Sequence, residues 1–162
     1  MTASIPASTA PVAPYRVGEL SIEDGLDIAM WRTPGPWAVQ DSLQAPKSYE
    51  GYWAVRDARD VLIGYCCLGE DARPLGMDSS SALLDVALGL APELTGRHLS
   101  RQFAEVVVGY AKGVAEGRRL RCTVASWNAV GRHTAEAVGF QVTGVHELRG
   151  SSQVTSYFVY ET

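Results

Sequence analysis

The sequence predicts an α/β (α+β) domain with a mixed central sheet of about six or seven strands and helices on both faces. Two observations support this fold class. Apolar runs of strand length occur in hairpin pairs near the middle and at the end of the chain, and segments with apolar residues at helical spacing separate the runs. Hairpins give antiparallel pairs, whereas strand–helix–strand connections give parallel pairs, so both kinds are expected in one sheet.

The first strand is predicted at 15–19. A helix then begins at Ser21, which can cap it because an acidic residue follows three positions later. A second short helix is predicted over 41–45. The remaining predicted elements are strands at 52–56, 61–68 and 83–90, a helix over 99–114, a strand at 120–125, a helix over 130–138 and strands at 142–146 and 154–160.

The length of 162 residues is typical of one domain. Residues 1–14 are rich in Ala, Ser, Thr and Pro and are expected to form a flexible tail, which leaves 15–162 as the domain. The N-terminus lacks the basic start and apolar middle of a signal peptide. No apolar run approaches the roughly 18 residues of a membrane span. We therefore expect a cytoplasmic protein without a membrane partner.

The net charge of −4, without a basic cluster, argues against nucleic acid as a partner and suits a cationic or neutral substrate. The three cysteines include the adjacent Cys66 and Cys67, which predicts free thiols in a reducing compartment and no disulfide framework or zinc site. Adjacent strand residues point to opposite faces, so one of this pair is expected in the core. His133 and His146 are expected at the surface, and no metal is expected.

Three stretches carry a resemblance to a known family. Residues 83–100 read LLDVALGLAPELTGRHLS, residues 128–140 start with Asn and end in Gly-Phe, and residues 64–69 follow a hairpin. In this order they resemble the central strand and cofactor loop, the later helix, and the entry strand of the GNAT superfamily of acyl-CoA-dependent N-acyltransferases. The resemblance covers nearly all of 15–160. It implies transfer of an acetyl or related acyl group from acyl-CoA to a primary amine of a small molecule or peptide.

The resemblance also implies where acetyl-CoA binds. The central strand is expected to diverge from its neighbour and to hold the pantetheine arm in the slot between them, while the pyrophosphate lies on the amides of the loop that follows. Asn128 is expected to bond the pantetheine arm, to cap the following helix, or to do both. The residues implied in cofactor binding are Leu88, Leu90, Thr95, Gly96, Arg97, His98, Leu99, Ser100 and Asn128.

Two carboxylates are candidates for the general base that takes a proton from the amine. Asp85 lies on the central strand, and Glu70 lies next to Asp71 in the loop after strand 61–68. The alternative for Asp85 is a backbone or Arg contact, and the alternative for the loop carboxylates is simple solvation.

The chain departs from the family at two points. The family's loop is written Q/R-x-x-G-x-G/A, where this chain has Thr95 through Ser100 with His98 in place of a glycine. A protonated His98 could pair with pyrophosphate, whereas an inward one would obstruct binding. Many members have a Tyr seven residues after the Asn, where this chain has Ala135. These departures leave an alternative open: a degenerate GNAT-fold protein that binds a ligand or a protein without transferase activity.

Aromatic residues near the N-terminal helices are expected to line the acceptor site, as in the family, or to pack in the core. An exposed final strand could pair with a second copy, so a homodimer is also considered. The aromatic residues in question are Trp31, Trp37, Tyr49, Tyr52 and Trp53.

Overall fold

The computed structural model describes residues 10–32 and 45–162 of the chain. Seven strands and three α-helices occur there, in the order that the sequence predicts. The elements are β1 (Arg16–Glu19), α1 (Ile22–Ala29), β2 (Tyr52–Arg56), β3 (Leu62–Leu68), β4 (Leu83–Leu90), α2 (Ser100–Val114), β5 (Arg119–Ala125), α3 (Ala129–Ala137), β6 (Gln141–Arg149) and β7 (Val154–Glu161), with short 3₁₀ helices at Ser48–Glu50, Glu70–Ala72 and Pro92–Leu94.

The strands form one mixed sheet in the order β1-β2-β3-β4-β5-β7-β6. Only β4 and β5 pair in parallel, because α2 connects them as a crossover; the other neighbours are antiparallel. The predicted mixed α+β class is therefore confirmed. The final strand, β7, lies inside the sheet between β5 and β6, so the expectation that it offers a free edge to a second copy is wrong. The edge on that side is β6.

Local signals set the element ends as expected. The Ser21 side chain accepts the Asp24 N–H at 3.0 Å, and the Asp24 carboxylate accepts the Ser21 N–H at 2.9 Å, which makes a capping box at the start of α1. β6 is longer than predicted because its pairing with β7 continues to Arg149 opposite Val154. The short helix predicted over 41–45 falls on residues outside the described part of the chain, apart from Ala45.

Two apolar clusters lie on opposite faces of the sheet. The larger joins buried residues of the sheet to α2 and α3, with Phe103 and Val107 fully buried at its centre. The smaller contains Ile28 of α1 together with Ala54 and Leu62. Alternation along the strands separates the clusters, since successive side chains point to opposite faces. The helices thus cover both faces, as the sequence predicts.

The pairing between β4 and β5 is short. It joins Leu83–Asp85 to Arg119–Arg121 and stops there, although β4 runs on to Leu90 and β5 to Ala125. At the last paired position the Asp85 carboxylate accepts two hydrogen bonds from the Arg121 guanidinium, at 2.6 Å from Nε and 3.1 Å from an Nη atom. This buried bidentate pair holds the two strands together at the end of their ladder.

The start of the described chain is held against the β2–β3 turn. The buried Asp57 carboxylate accepts the Val12 N–H at 3.0 Å, and the Val12 carbonyl accepts the Ala58 N–H at 2.7 Å. Burial acts to raise the pKa of Asp57, but hydrogen bonds from backbone N–H groups outweigh it and lower that pKa. Val12, which lies in the segment that composition assigns to a flexible tail, is therefore hydrogen-bonded to a distant turn.

We predict that Asp85→Asn destabilises the fold by about 3 kcal/mol, because it leaves the charges of Arg121 and Arg73 without their buried partner. The Arg73 guanidinium also reaches this carboxylate, at 3.1 Å. Urea unfolding followed by circular dichroism measures the change. The matched control is Glu105→Gln, which removes only an exposed helical pair with Arg101 and should cost less than about 0.5 kcal/mol. An equal loss of unfolding free energy in the two variants would contradict a structural role for the contacts of Asp85 with Arg121 and Arg73.

Candidate functional site

A gap opens in the sheet where β4 and β5 stop pairing. Each strand keeps its outer neighbour along this stretch: β4 pairs with β3 as far as Leu90 opposite Gly64, and β5 pairs with β7 as far as Ala125 opposite Tyr157. The exposure of the side chains on β4 rises where the gap begins. Val86 is 3% exposed, whereas Leu88, two residues further along the strand and on the same face, is 42% exposed. The expected divergence of the central strand from its neighbour is confirmed. Strand edges facing each other across such a gap offer backbone groups to an extended ligand.

The loop between β4 and α2 brings unpaired backbone donors to the open end of the gap. Among the described residues, no N–H from Gly96 through Gln102 donates to a backbone carbonyl; the first such bond of α2 runs from the Phe103 N–H to the Leu99 carbonyl at 3.0 Å. Free N–H groups and the helix dipole at this end of a 15-residue helix attract anions. The gap and loop together suit an elongated molecule with an anionic end.

The loop keeps a glycine-like backbone at position 98. His98 has φ 59° and Gly96 has φ 75°, so both lie in the left-handed region that glycine favours. The His98 residue is exposed. The side chain of Thr95 closes the preceding 3₁₀ turn, with its hydroxyl donating to the Pro92 carbonyl at 2.7 Å. Position 98 thus has a backbone conformation that glycine favours, although the residue is a histidine.

Asn128 caps α3. Its side-chain oxygen accepts the Gly131 N–H at 2.8 Å, and the residue is 9% exposed. The cap uses only the oxygen, so the amide NH₂ group is not committed to it. The predicted cap is confirmed, and the predicted bond to a pantetheine arm stays a prediction.

No proton donor stands at the position where many family members have a Tyr. Ala135 is buried in α3, within the larger apolar cluster. Cys122 is the first β5 residue beyond the paired stretch; burial raises the pKa of its thiol to about 12, and the Asp85 charge adds to the increase. This thiol therefore stays protonated near neutral pH.

The two candidate bases lie near each other at the closed end of the gap. Both oxygens of Asp85 accept hydrogen bonds from arginine, and Arg121 also donates to the Asp78 carbonyl at 2.8 Å. Glu70 is exposed, and the intervening Gly69 N–H donates to the Asp85 carbonyl at 2.9 Å. The Arg contact that the sequence left as an alternative for Asp85 is present. The role of a base for either carboxylate stays a prediction.

The remaining candidates contribute little to this site. Cys66 packs in the larger cluster, while the Cys67 thiol, on the opposite face, donates to the Glu50 carbonyl at 3.8 Å. Burial raises the pKa of each of these thiols to about 12, so neither is an activated nucleophile. His133 is exposed, and His146 Nε2 lies 3.0 Å from the Leu75 carbonyl oxygen.

No group of three or more His, Cys, Asp or Glu side chains in the described part of the chain could hold a metal ion. No helix among the described residues is long and apolar enough to cross a membrane.

The aromatic residues expected near the acceptor site divide between the two faces. Trp31 and Tyr52 lie on the α1 face, each with its ring near that of Tyr65, at centroid distances of 6.2 and 5.9 Å. Trp53 instead contacts Tyr110 of α2, at 5.3 Å, on the other face. Tyr49 is 78% exposed. Trp37 lies outside the described residues.

Sequence reasoning missed Tyr65, Arg73 and Arg121. Strand alternation could have placed Tyr65 on the face of Tyr52, because the two strands form a predicted hairpin. The pairing of Arg121 with Asp85 has no sequence signal, since 36 positions separate the two residues and their contact depends on the parallel register.

Comparison with known proteins gives relatives by structure only. No protein-family model matches the sequence, and no curated protein matches it. A GNAT-family acetyltransferase from Bacillus anthracis superposes with a TM-score of 0.72 at 8% identity, over 93% of this chain and 95% of that one. An aminoglycoside acetyltransferase, AAC(6')-Ib, solved with paromomycin and acetyl-CoA, gives 0.65 at 13% identity, over 91% and 93%.

A third similar structure is spermidine N-acetyltransferase from Vibrio cholerae, solved with CoA and spermine. It gives a TM-score of 0.56 at 20% identity, over 68% of this chain and 63% of that one. Similarity at such low sequence identity establishes the architecture alone. The chemistry has to be argued from the residues of the site. The chain therefore has the fold of the GNAT-family acetyltransferases.

Proposed function

We propose that this protein is an N-acyltransferase that moves an acetyl or related acyl group from acyl-CoA to a primary amine of a small molecule or peptide. The observation that carries the proposal is the gap between β4 and β5, which leads at its open end into a loop of unpaired backbone N–H groups. The similar structures solved with CoA or acetyl-CoA support it. Three free cysteines fit a reducing compartment, and we propose the cytoplasm.

The residues of the gap and loop would hold acyl-CoA. Backbone groups at Leu88 and Leu90 would bond the pantetheine arm, as would the uncommitted amide NH₂ of Asn128. The amides from Gly96 through Ser100 would receive the pyrophosphate, with Arg97 and His98 bordering it, while the Thr95 N–H already donates to the Pro92 carbonyl. When bound, acyl-CoA supplies a thioester carbonyl that an amine can attack.

The residues available for proton transfer differ most from the pattern of the family that this chain resembles. The exposed Glu70 is free to exchange protons with solvent and with an amine near the closed end of the gap, whereas Asp85 is held by two arginines. With Ala135 in place of an acid, the thiolate would leave unassisted. That is tolerable near neutral pH, because an ordinary thiol has a pKa of about 8.5.

A degenerate protein that binds a ligand without transferase activity is the second candidate function. Ala135 favours it, because the site lacks the expected acid. The loop weighs against it, because its N–H groups beside the exposed His98 are unpaired and open to an anion.

Acetyl-CoA should raise the melting temperature by about 5–10 °C at a hundred times its dissociation constant, since a ligand that binds only the folded state stabilises it by about 2.7 kcal/mol there. Differential scanning fluorimetry measures the shift. ATP at the same concentration is the control, because it carries adenine and phosphates without a pantetheine arm. No shift at millimolar acetyl-CoA, or an equal shift with ATP, would count against the proposal.

His98→Gly separates the two candidate functions. Because the backbone at this position already has a glycine conformation and the residue is exposed, we expect the dissociation constant for acetyl-CoA to stay within about 3-fold of the native value, less than about 0.7 kcal/mol. Isothermal titration calorimetry measures it. His98→Ala is the matched variant, since it removes the imidazole without adding glycine's freedom. Binding that appears only in His98→Gly would identify the native protein as a degenerate enzyme.

A further inference from the structure

We propose that the Tyr65 hydroxyl donates the proton that the sulfur of CoA takes when the thioester is cleaved, in place of the acid that α3 lacks at Ala135. This inference rests on the proposed function and adds a catalytic residue to it. With Ala135 alone, nothing on α3 assists the departing thiolate. The structure brings a phenol to the border of the gap from the opposite face of the sheet.

The Tyr65 side chain lies across the neighbouring strand. Tyr65 of β3 pairs with Gly89 of β4, and a Cβ atom at position 89 would lie 2.4 Å from the nearest ring carbon and 2.7 Å from the hydroxyl oxygen. Neighbouring strands lie about 4.8 Å apart, so the ring spans this distance and ends over β4. Because glycine has no side chain, position 89 leaves the space that the phenol occupies. The hydroxyl therefore lies at the strand that borders the gap.

Gly89 lies where the proposed function places the acyl donor. It belongs to the part of β4 that no longer pairs with β5. Leu88 and Leu90, on either side of it, are the residues whose backbone groups would bond the pantetheine arm. A phenol over Gly89 is therefore beside the arm that ends in the thioester sulfur.

The other described side chains on this face of the gap are poorer proton donors. Strand alternation puts Ala87 and Gly89 of β4, and Thr123 and Ala125 of β5, on the face opposite α2. The alanines have no proton to give. The alcohol of Thr123 is a weaker acid than a phenol, whose ordinary pKa is about 10. Among these residues, the phenol of Tyr65 is the suitable acid.

The charged groups nearest to this position are engaged elsewhere. Trp31, whose ring lies 6.2 Å from that of Tyr65, accepts a hydrogen bond at its carbonyl oxygen from the Arg32 guanidinium, at 2.6 Å. The same guanidinium donates to the Ala29 carbonyl at 2.8 Å. Asp85 is held by two arginines and lies four residues before Gly89, which is about 13 Å along a strand. Neither group competes with the phenol for the sulfur.

Tyr65 ends the proposed step in the protonation state in which it began. Its hydroxyl gives a proton to the sulfur as the carbon–sulfur bond breaks and the electron pair of that bond moves to sulfur. The phenolate then takes the proton that the amine nitrogen loses once this nitrogen has bonded to the acyl carbon. The hydroxyl is restored, the amide product is neutral, and CoA leaves as the thiol.

The test measures the pKa of the CoA thiol bound to the native protein and to Tyr65→Phe. A hydrogen bond from the hydroxyl to the sulfur favours the thiolate, so its loss should raise that pKa by about 1 to 2. The ultraviolet absorbance of the thiolate follows the titration. The complex with S-methyl-CoA is the blank, because its sulfur cannot ionise. Phenylalanine keeps the ring over Gly89, so the variant changes the hydroxyl alone.

Two further variants serve as controls. Tyr110→Phe removes a phenol hydroxyl from α2, where the Tyr110 ring contacts Trp53 on the other face of the sheet. It should change the pKa of the bound thiol by less than about 0.3, because it removes no donor from the gap. Thr123→Val removes the other hydroxyl on the face of Tyr65 and should raise the pKa by less than Tyr65→Phe does.

The same thiol pKa in the native protein and in Tyr65→Phe would overturn the inference. An equal rise in Tyr110→Phe, or a larger one in Thr123→Val, would also overturn it. Calorimetry of CoA binding to the native protein separates this inference from the proposed function. If CoA binds and the pKa of its thiol does not depend on Tyr65, the transferase stands and the proton donor is rejected. No binding of CoA at millimolar concentration would contradict both.

Discussion

The short ladder between β4 and β5 is the constraint on which the site depends. Parallel strands in a sheet normally pair along their shared length, which satisfies their backbone groups. Here β4 and β5 pair only from Leu83 to Asp85 and from Arg119 to Arg121, and beyond these positions they separate. The bidentate ion pair joins the strands at the last paired position, while β3 and β7 keep each strand paired on its outer side. The gap is thus a regular feature of the sheet, because each strand that borders it stays paired with its outer neighbour.

The end of the ladder also sets the surroundings of Asp85, whose role as a base stays a prediction. Its carboxylate is the common partner of Arg121 and Arg73, and removal of a proton from a substrate would compete with those contacts. A carboxylate in that position stabilises the pairing of the two strands. Glu70, three residues before Arg73 and open to solvent, has no such commitment in the described structure.

In the loop between β4 and α2, the backbone has a conformation that glycine favours although the residue at position 98 is a histidine. A motif written in glycines is lost at His98, yet the residue has a left-handed backbone and the N–H groups around it remain unpaired. A histidine tolerates that conformation better than most side chains do, although at some cost relative to glycine. The loop therefore keeps unpaired N–H groups that attract an anion, although a histidine stands at position 98.

The sequence by itself determined the element order, the mixed sheet, the capping box at Ser21 and the cap at Asn128, because hydrophobic period and capping chemistry act over a few residues. It could not decide the ends of β6, the hydrogen bond of Val12 to Asp57, or the interior position of β7, since each depends on a partner far along the chain. The site divides in the same way. The strand, loop and Asn of the expected cofactor site followed from the family resemblance of their residues, whereas the Asp85–Arg121 pair and the position of Tyr65 over Gly89 exist only because the register brings distant strands side by side.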